Sequence, residues 1–255
     1  MHKRRPAEPG RKARDGAGLL KRGERLALQR FISRYPKLYH MAEDGSWESI
    51  RRHGLLSTTA LLDLFEVRGE RRYAIESALR PEIVRVDHPN HGTALIRDNK
   101  PMQEKVLARC LRGMTPCEWY EHLNRRVFFW VERKRLLKLL GARPYRDRPH
   151  LVLEVDTAEL LRRYAEEVTL SPINSGAPFA MNPASRGTDT FRRIADHPER
   201  KPVVELAVDY AVPDVVDFVF SLSRWHGAEE LEEMWRPWPE TEGLRGLTCI
   251  WTTKC

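Results

Sequence analysis

Two stretches in the middle of the chain follow the same plan, in which a short apolar strand leads directly into an amphipathic helix. The first, NRRVFFWVERKRLLKLLG, predicts a strand over residues 127–131 and a helix that ends at Gly141. The second, HLVLEVDTAELLRRY, predicts a strand followed by a helix whose N-cap is Asp156 or Thr157. These two units require a fold that packs strands and helices around a common core.

Further strands are expected near both ends of the chain. KLYHMA (residues 37–42) predicts a strand, and GSWESIRRHG then predicts a helix that stops at Gly54. VVELAVDY (residues 203–210) alternates in polarity, DVVDFVFSLSR (residues 214–224) predicts another strand, and their proximity favours antiparallel pairing of the two.

Other segments carry weaker patterns. A helix is expected over residues 190–195, with Asp189 as its N-cap, and a short acidic helix is expected in AEELEEMW (residues 228–235). The segments IVRVDH and TALIRDN are expected to be loop or irregular strand, and residues 168–188 read as a long loop.

The basic charge of the chain is concentrated at its start. Residues 1–37 contain 12 Lys or Arg and 3 acids, so that of the total net charge of +8 the remaining 218 residues carry −1. Residues 1–18 are expected to form a flexible tail, and residues 19–35 a helix that docks on the body. Residues 19–255 are expected to form a single domain with a C-terminal extension at 225–255. A basic arm is equally compatible with phosphate binding and with a solubilising role.

Several classes of protein are not indicated by the sequence. The four cysteines have no disulfide-scaffold spacing, which favours a reducing compartment and a cytoplasmic location, and no apolar run is long enough for a membrane helix. The chain has no phosphate-binding loop, no Rossmann glycine motif and no nucleophile elbow. His88 and His91 are not accompanied by a third ligand in the sequence, so no metal site is expected.

Polar residues on otherwise apolar strands are the remaining candidates, because burying a charge or an imidazole is unfavourable without compensation. Alternation places Glu205 and Asp209 on one face of their strand, and His40 on a face with Leu38 and Ala42. Taken alone, the strand that carries Glu205 and Asp209 is more typical of a solvent-facing surface. His40, taken alone, is more typical of a core histidine. The aromatic strand RVFFWVE is compatible with core or with the wall of a base-binding pocket.

The order of four motifs resembles the ADP-ribosyltransferase superfamily and, within it, the DarT-like branch. These motifs are LYH on a first strand, a helix ending in HGLLS, VFFW in mid-chain and VVELAV near the end. The resemblance covers roughly residues 36–220. It implies an α+β fold with a split mixed or antiparallel β-sheet surrounded by helices, and a cleft that holds NAD.

Site residues are implied by the same resemblance. Glu205 would be the catalytic acid, and Arg97 the catalytic Arg, with Arg80 as the reserve. Residues that would bind NAD come from the three earlier motifs: Tyr39, His40, Ser57, Phe129 and Trp130. The SPINSG loop would border the acceptor site, and Arg97 would keep a buried Glu205 ionised or bind the NAD pyrophosphate.

The activity that the resemblance implies is mono-ADP-ribosyl transfer from NAD, without a metal, to a base of DNA or RNA. A toxin or phage-defence setting, with an antitoxin partner, is implied in the same way. Alternatives on the same fold are an RNA 2′-phosphotransferase and a protein-targeting ADP-ribosyltransferase. A different class of alternative is a non-catalytic module that binds nucleic acid or a partner.

Overall fold

An antiparallel sheet of seven strands forms the centre of the computed structural model, which describes residues 21–178 and 181–236. In spatial order, its strands are β13 (Glu229–Trp235), β12 (Val219–His226), β7 (Pro149–Asp156), β1 (Lys37–Glu43), β6 (Arg126–Trp130), β10 (Glu205–Asp209) and β8 (Val168–Ser171). Three two-stranded sheets join β2 (Leu55–Leu56) to β11 (Ala211–Val212), β3 (Val84–His88) to β4 (Gly92–Ile96), and β5 (Leu111–Arg112) to β9 (Arg186–Gly187).

Short helices cover both faces of the sheet. They are α1 (Arg22–Arg34), α2 (Trp47–His53), α3 (Thr58–Leu64), α4 (Gly69–Glu76), α5 (Glu104–Cys110), α6 (Pro116–Asn124), α7 (Arg133–Leu140) and α8 (Thr157–Tyr164). None of these described helices has the length and apolar character needed to cross a bilayer. The observed α+β class, with a large antiparallel sheet, agrees with the expected class.

The largest hydrophobic cluster lies on one face of the sheet and includes Leu38, Phe129, Leu153 and Leu206. Helix α1 closes this face, because Phe31 is buried in the same cluster and the helix packs on α8 and on a 3-10 turn at Ile194–Asp196. The expected docking helix is thus confirmed, although residues 19–20 and the predicted tail at residues 1–18 lie outside the described part. Helices α5, α6 and α7 contribute to clusters on the opposite face.

The sheet is weakest between β1 and β6. Strand β1 forms seven residue pairs with β7, whereas its ladder with β6 contains the single pair Tyr39 and Trp130. Beside this pair the Nδ1 atom of His40 lies 2.8 Å from the backbone carbonyl of Phe128, so a side chain takes the place of a backbone partner. A cleft enters the structure beside this short ladder, between two strands of one sheet.

Most strands and helices predicted from local patterns are present. Strands β1, β6, β7 and β10 and helices α2, α7 and α8 agree with the expected segments to within a few residues. Asp156, not Thr157, is the N-cap of α8, since its side chain accepts a hydrogen bond from the Glu159 backbone at 3.0 Å. Gly54 ends α2 with a positive φ of 75°, a conformation that favours glycine.

Several predictions of local structure were wrong, and the stretch at residues 168–188 that was expected to be a loop contains strands β8 and β9. Residues 84–96 form a regular hairpin of β3 and β4, and residues 188–196 contain two 3-10 turns in place of one helix. The acidic segment at 229–235 is the edge strand β13, because the tight turn at Gly227, with φ of 55°, folds it back along β12. Residues 225–235 are thus part of the sheet, and β10 and β12 pair with other strands, not with each other.

Candidate functional site

The cleft beside the β1–β6 ladder has a volume of about 320 Å³ and is lined by residues from seven separate stretches of the chain. Six of the seven residues predicted for catalysis or NAD binding line it: His40, Ser57, Arg97, Phe129, Trp130 and Glu205. Tyr39 does not line this cleft. It faces a second cavity of about 150 Å³, together with Arg133 and Glu154, on the side of β1 that pairs with β7.

Glu205 is the first residue of β10 and is only 5% exposed. The backbone N–H of Ser175 donates to both of its carboxylate oxygens, at 3.3 and 3.2 Å. Burial raises the pKa of Glu205 to about 7, while hydrogen bonds from Ser175 and the positive charges of Arg186 and Arg135 oppose this rise. Glu205 is therefore a buried carboxylate that changes protonation state near neutral pH.

His40 also lines the cleft, but it leaves the sheet on the face opposite to that of Glu205. Directly paired residues point to the same side of an antiparallel sheet, so Tyr39, Trp130 and Glu205 share one face. His40, one residue from Tyr39, points to the other face. Both residues line the cleft, which opens next to the short ladder between β1 and β6, and the strand of Glu205, β10, pairs with the other edge of β6.

The tautomer of His40 follows from its hydrogen bond. A carbonyl can only accept, so Nδ1 carries the proton that is donated to Phe128 at 2.8 Å. Burial lowers the pKa of His40 to about 4, against the raising effect of this bond, and the charge of Arg97 lowers it further. The imidazole is therefore neutral at pH 7, and its Nε2 is a hydrogen-bond acceptor.

Arg97 and Arg80 both line the cleft, but their guanidinium groups are in different environments. Arg80 is 6% exposed and donates to the carbonyls of Ile75 and Arg97 and to the side chain of Asn124. Arg97 is half-buried, lies 5.5 Å from the ring centre of Tyr145, and has no ion pair within the described residues. Arg80 is a structural residue, and Arg97 is the one whose guanidinium is available to a ligand.

The two aromatic candidates divide between core and cleft. Phe129 is 1% exposed, belongs to the main hydrophobic cluster and lies 5.6 Å from the ring of His40. Trp130 is half-buried and shares a face with Glu205, with which it is directly paired. Trp130 is therefore better placed to stack on a ligand, and Phe129 supports His40 from behind.

Ser57 lines the cleft but already has a local role. Its hydroxyl accepts a hydrogen bond from the backbone of Ala60 at 3.1 Å and thereby caps α3. The residue is 2% exposed. Its proposed contact with NAD remains a prediction.

A cluster of buried charges at the cleft wall was missed by the sequence reasoning. Glu43 and Asp98 both line the cleft and are 5% and 4% exposed. Arg148 bridges them, at 2.9 Å from Asp98 and 3.5 Å from Glu43. The available signal was the acid that ends the apolar strand KLYHMAE, where Glu43 follows Tyr39 and Met41 on one face.

The SPINSG loop does border the cleft, through residues 174–177. It reaches Glu205 through the Ser175 amide described above. The cation expected to act on Glu205 was Arg97, but the positive charges that lower its pKa belong to Arg186 and Arg135. Arg97 instead acts on His40 and Glu43. Among the described residues, no group of three or more His, Cys, Asp or Glu side chains is arranged to hold a metal ion.

Comparison with protein families gives a match that covers the cleft. A family model described as a family of unknown function, DUF7002, matches residues 36–219. The matched region begins just before β1 and ends at the first residue of β12, so it contains every residue that lines the cleft. No curated protein matches the chain.

Proposed function

We propose that this chain, which belongs to the DUF7002 family, is an ADP-ribosyltransferase that transfers the ADP-ribosyl group of NAD to a nucleic-acid base. The observation that carries the proposal is the composition of the cleft. It combines a neutral imidazole, an available guanidinium, an indole ring and a buried carboxylate, contributed by His40, Arg97, Trp130 and Glu205. The short ladder between β1 and β6 supports the finer proposal of a split sheet of the ADP-ribosyltransferase type.

The residues of the cleft fit the chemical groups of NAD. Arg97 would bind the pyrophosphate, because a guanidinium pairs well with phosphate oxygens. The Nε2 atom of His40 would accept a hydrogen bond from a ribose hydroxyl. Trp130 would pack against the nicotinamide ring, and Glu205 would lie at the ribose that carries it.

NAD supplies a ribosyl group bound to a good leaving group, and its transfer passes through a transition state with positive charge on the ribose. The carboxylate of Glu205 stabilises that charge and accepts the proton that the acceptor nitrogen loses on forming its bond to the ribose. Only the ionised form of Glu205 can do either. Its pKa of about 7 places this requirement near physiological pH.

A nucleic-acid acceptor is supported by the charge of one surface. Helix α1 exposes four arginines and packs on the turn at Ile194–Asp196, which follows Arg192 and Arg193. Residues 38–255 carry a net charge of −1, so the basic residues at the start of the chain, which include those of α1, would supply the attraction to phosphates. The toxin or phage-defence setting and the antitoxin partner remain predictions from the resemblance.

The test is transfer of label from NAD, labelled in its adenylate part, to separate DNA, RNA and protein acceptors. The proposal expects label on DNA or RNA with release of nicotinamide. Replacing Glu205 with Gln should abolish transfer, whereas Glu154→Gln should not. Glu154 is a matched control because it is a strand-borne acid of the same sheet that pairs with Lys37 outside the cleft.

Other outcomes of the same assay would identify the alternatives. Label on protein alone would favour a protein-targeting transferase. Absence of both transfer and NAD hydrolysis would refute the proposal that the chain is an NAD-consuming enzyme. An RNA 2′-phosphotransferase needs several available cations in its cleft. Of the three arginines that line this cleft, Arg80 and Arg126 donate to backbone carbonyls, so only Arg97 is free of such bonds through its side chain.

A further inference from the structure

Arg186 is a buried cation that acts on the charge of Glu205 without forming an ion pair with it. It is 3% exposed, and it makes no ion pair within the described parts of the chain. Strand β9, which contains it, runs parallel to β5, and a Cβ atom at the next residue, Gly187, would lie 2.5 Å from the carbonyl oxygen of Arg112. This close approach holds the backbone of Arg186 firmly in place.

The guanidinium of Arg186 binds three backbone carbonyls of the loop that precedes it. Nη1 donates to Ala184 at 2.7 Å, Nη2 to Asn174 at 2.8 Å and Nε to Ser175 at 3.4 Å. These carbonyls belong to both arms of the loop. A planar fork of donors is suited to this arrangement, and an ammonium group is not.

One of these peptide groups connects Arg186 to the carboxylate of Glu205. The carbonyl of Asn174 and the N–H of Ser175 belong to the same planar peptide unit. Its oxygen accepts from Arg186, and its N–H donates to both oxygens of Glu205. Hydrogen bonds in such a chain polarise and strengthen one another.

We propose that Arg186 is a positioning residue for Glu205. Arg186 fixes the peptide group between Asn174 and Ser175, and the N–H of that peptide group then orients the carboxylate of Glu205 in the cleft. The catalytic consequence rests on the proposed function, but the positioning does not. A carboxylate has about four acceptor sites, so the Ser175 N–H leaves others free for a ligand.

The two cations near Glu205 allow an effect of hydrogen-bonded positioning to be distinguished from an effect of charge attraction alone. Two cations lower its pKa, Arg186 from the loop side and Arg135 from helix α7. Arg135 pairs with Glu132 at 3.0 Å and makes no hydrogen bond to a carbonyl of the described residues 174–178 and 181–184. It therefore acts on Glu205 through space alone, which makes it an informative comparison.

The test measures two properties of the full chain in the absence of NAD. Carbon NMR of protein labelled at the glutamate carboxyl groups, assigned with Glu205→Gln, gives the titration midpoint of Glu205. Hydrogen exchange gives the protection of the Ser175 amide. Arg186→Gln should raise the midpoint by about one pH unit and accelerate exchange roughly tenfold.

Three comparison variants define the expected pattern. Arg186→Lys keeps the charge, so exchange should accelerate while the midpoint moves less. Arg135→Gln should raise the midpoint and leave exchange unchanged. Arg192→Gln, an exposed neighbour in sequence, should change neither.

The proposal is overturned if Arg186→Gln leaves the exchange of the Ser175 amide unchanged, even when the midpoint rises, because the charge of Arg186 alone would then account for its effect on Glu205. Should Arg186→Gln fail to fold, Arg186→Lys decides alone, and unchanged exchange of Ser175 in that variant overturns the proposal. Neither measurement depends on turnover. A wild-type protein that shows this pattern but no reaction with NAD would refute the proposed function and leave the role of Arg186 intact.

Discussion

Replacement of Glu205 with Gln is expected to stabilise the fold at alkaline pH while it abolishes transfer. The substitution keeps the size of the side chain and one carbonyl oxygen that can accept from the Ser175 N–H. It removes a negative charge that is 5% exposed. Because burial disfavours that charge, the wild-type protein loses stability when Glu205 ionises.

The sign and size of the effect follow from the raised pKa. Burial raises the pKa of Glu205 from 4.5 to about 7, so the folded state holds this proton more tightly than the unfolded state does. The stability that the proton contributes is complete below about pH 4.5 and is lost as the pH rises to about 7. This difference corresponds to roughly 3 kcal/mol at about 1.4 kcal/mol per pH unit.

Urea unfolding, followed by tryptophan fluorescence, measures this prediction. The difference in unfolding free energy between Glu205→Gln and wild type should be about 3 kcal/mol at pH values above about 8 and close to zero near pH 4.5. Glu199→Gln is the control, because that acid is 87% exposed and its pair with Arg30 contributes little. An equal difference at both pH values, or destabilisation at alkaline pH, would refute the reasoning.

Three further predictions concern activity and binding. Arg97→Ala should lower transfer at least roughly tenfold and change the unfolding free energy by less than about 1 kcal/mol. Arg80→Ala should instead destabilise the fold by about 3 kcal/mol, because it leaves buried carbonyls unpaired. Labelled-NAD transfer and urea unfolding measure both variants. The logarithm of kcat/KM should fall with unit slope as the pH drops below about 7, since Glu205 must be ionised; a flat profile between about pH 5 and 8 would contradict this. Replacing the exposed Arg22 and Arg34 of α1 with Glu should weaken nucleic-acid binding and reduce its dependence on salt concentration, measured by titration at several ionic strengths; unchanged salt dependence would exclude this surface.

Local patterns predicted the elements that carry the site. His40 and Glu205 were placed on strands because each interrupts an apolar run with period-two alternation, and both strands are present. The chemistry of capping identified Gly54 as the end of one helix and Asp156 or Thr157 as the start of another, and the structure decided for Asp156. Such features depend on a few neighbouring residues, so they can be read without knowledge of the fold.

Pairing partners could not be predicted in the same way. The segment at 229–235 has the composition of an acidic helix, yet it forms strand β13 because β12 offers it an open edge. Strands β10 and β12 are neighbours in sequence but are separated in the sheet by β7, β1 and β6. Pairing between distant strands outweighs local propensity, and no short window of sequence records it.

The sequence by itself determined which residues could do chemistry and where they lie along the chain. Tertiary structure decided which of them meet: it assigned Arg80 to the scaffold, left Arg97 in the cleft and turned Tyr39 to another cavity. Tertiary structure also placed the side chain of Arg186 against the backbone peptide group that contacts Glu205. The physical reason is that burial, charge and hydrogen bonding depend on atoms close in space, and the groups around Glu205 come from segments that are distant along the chain.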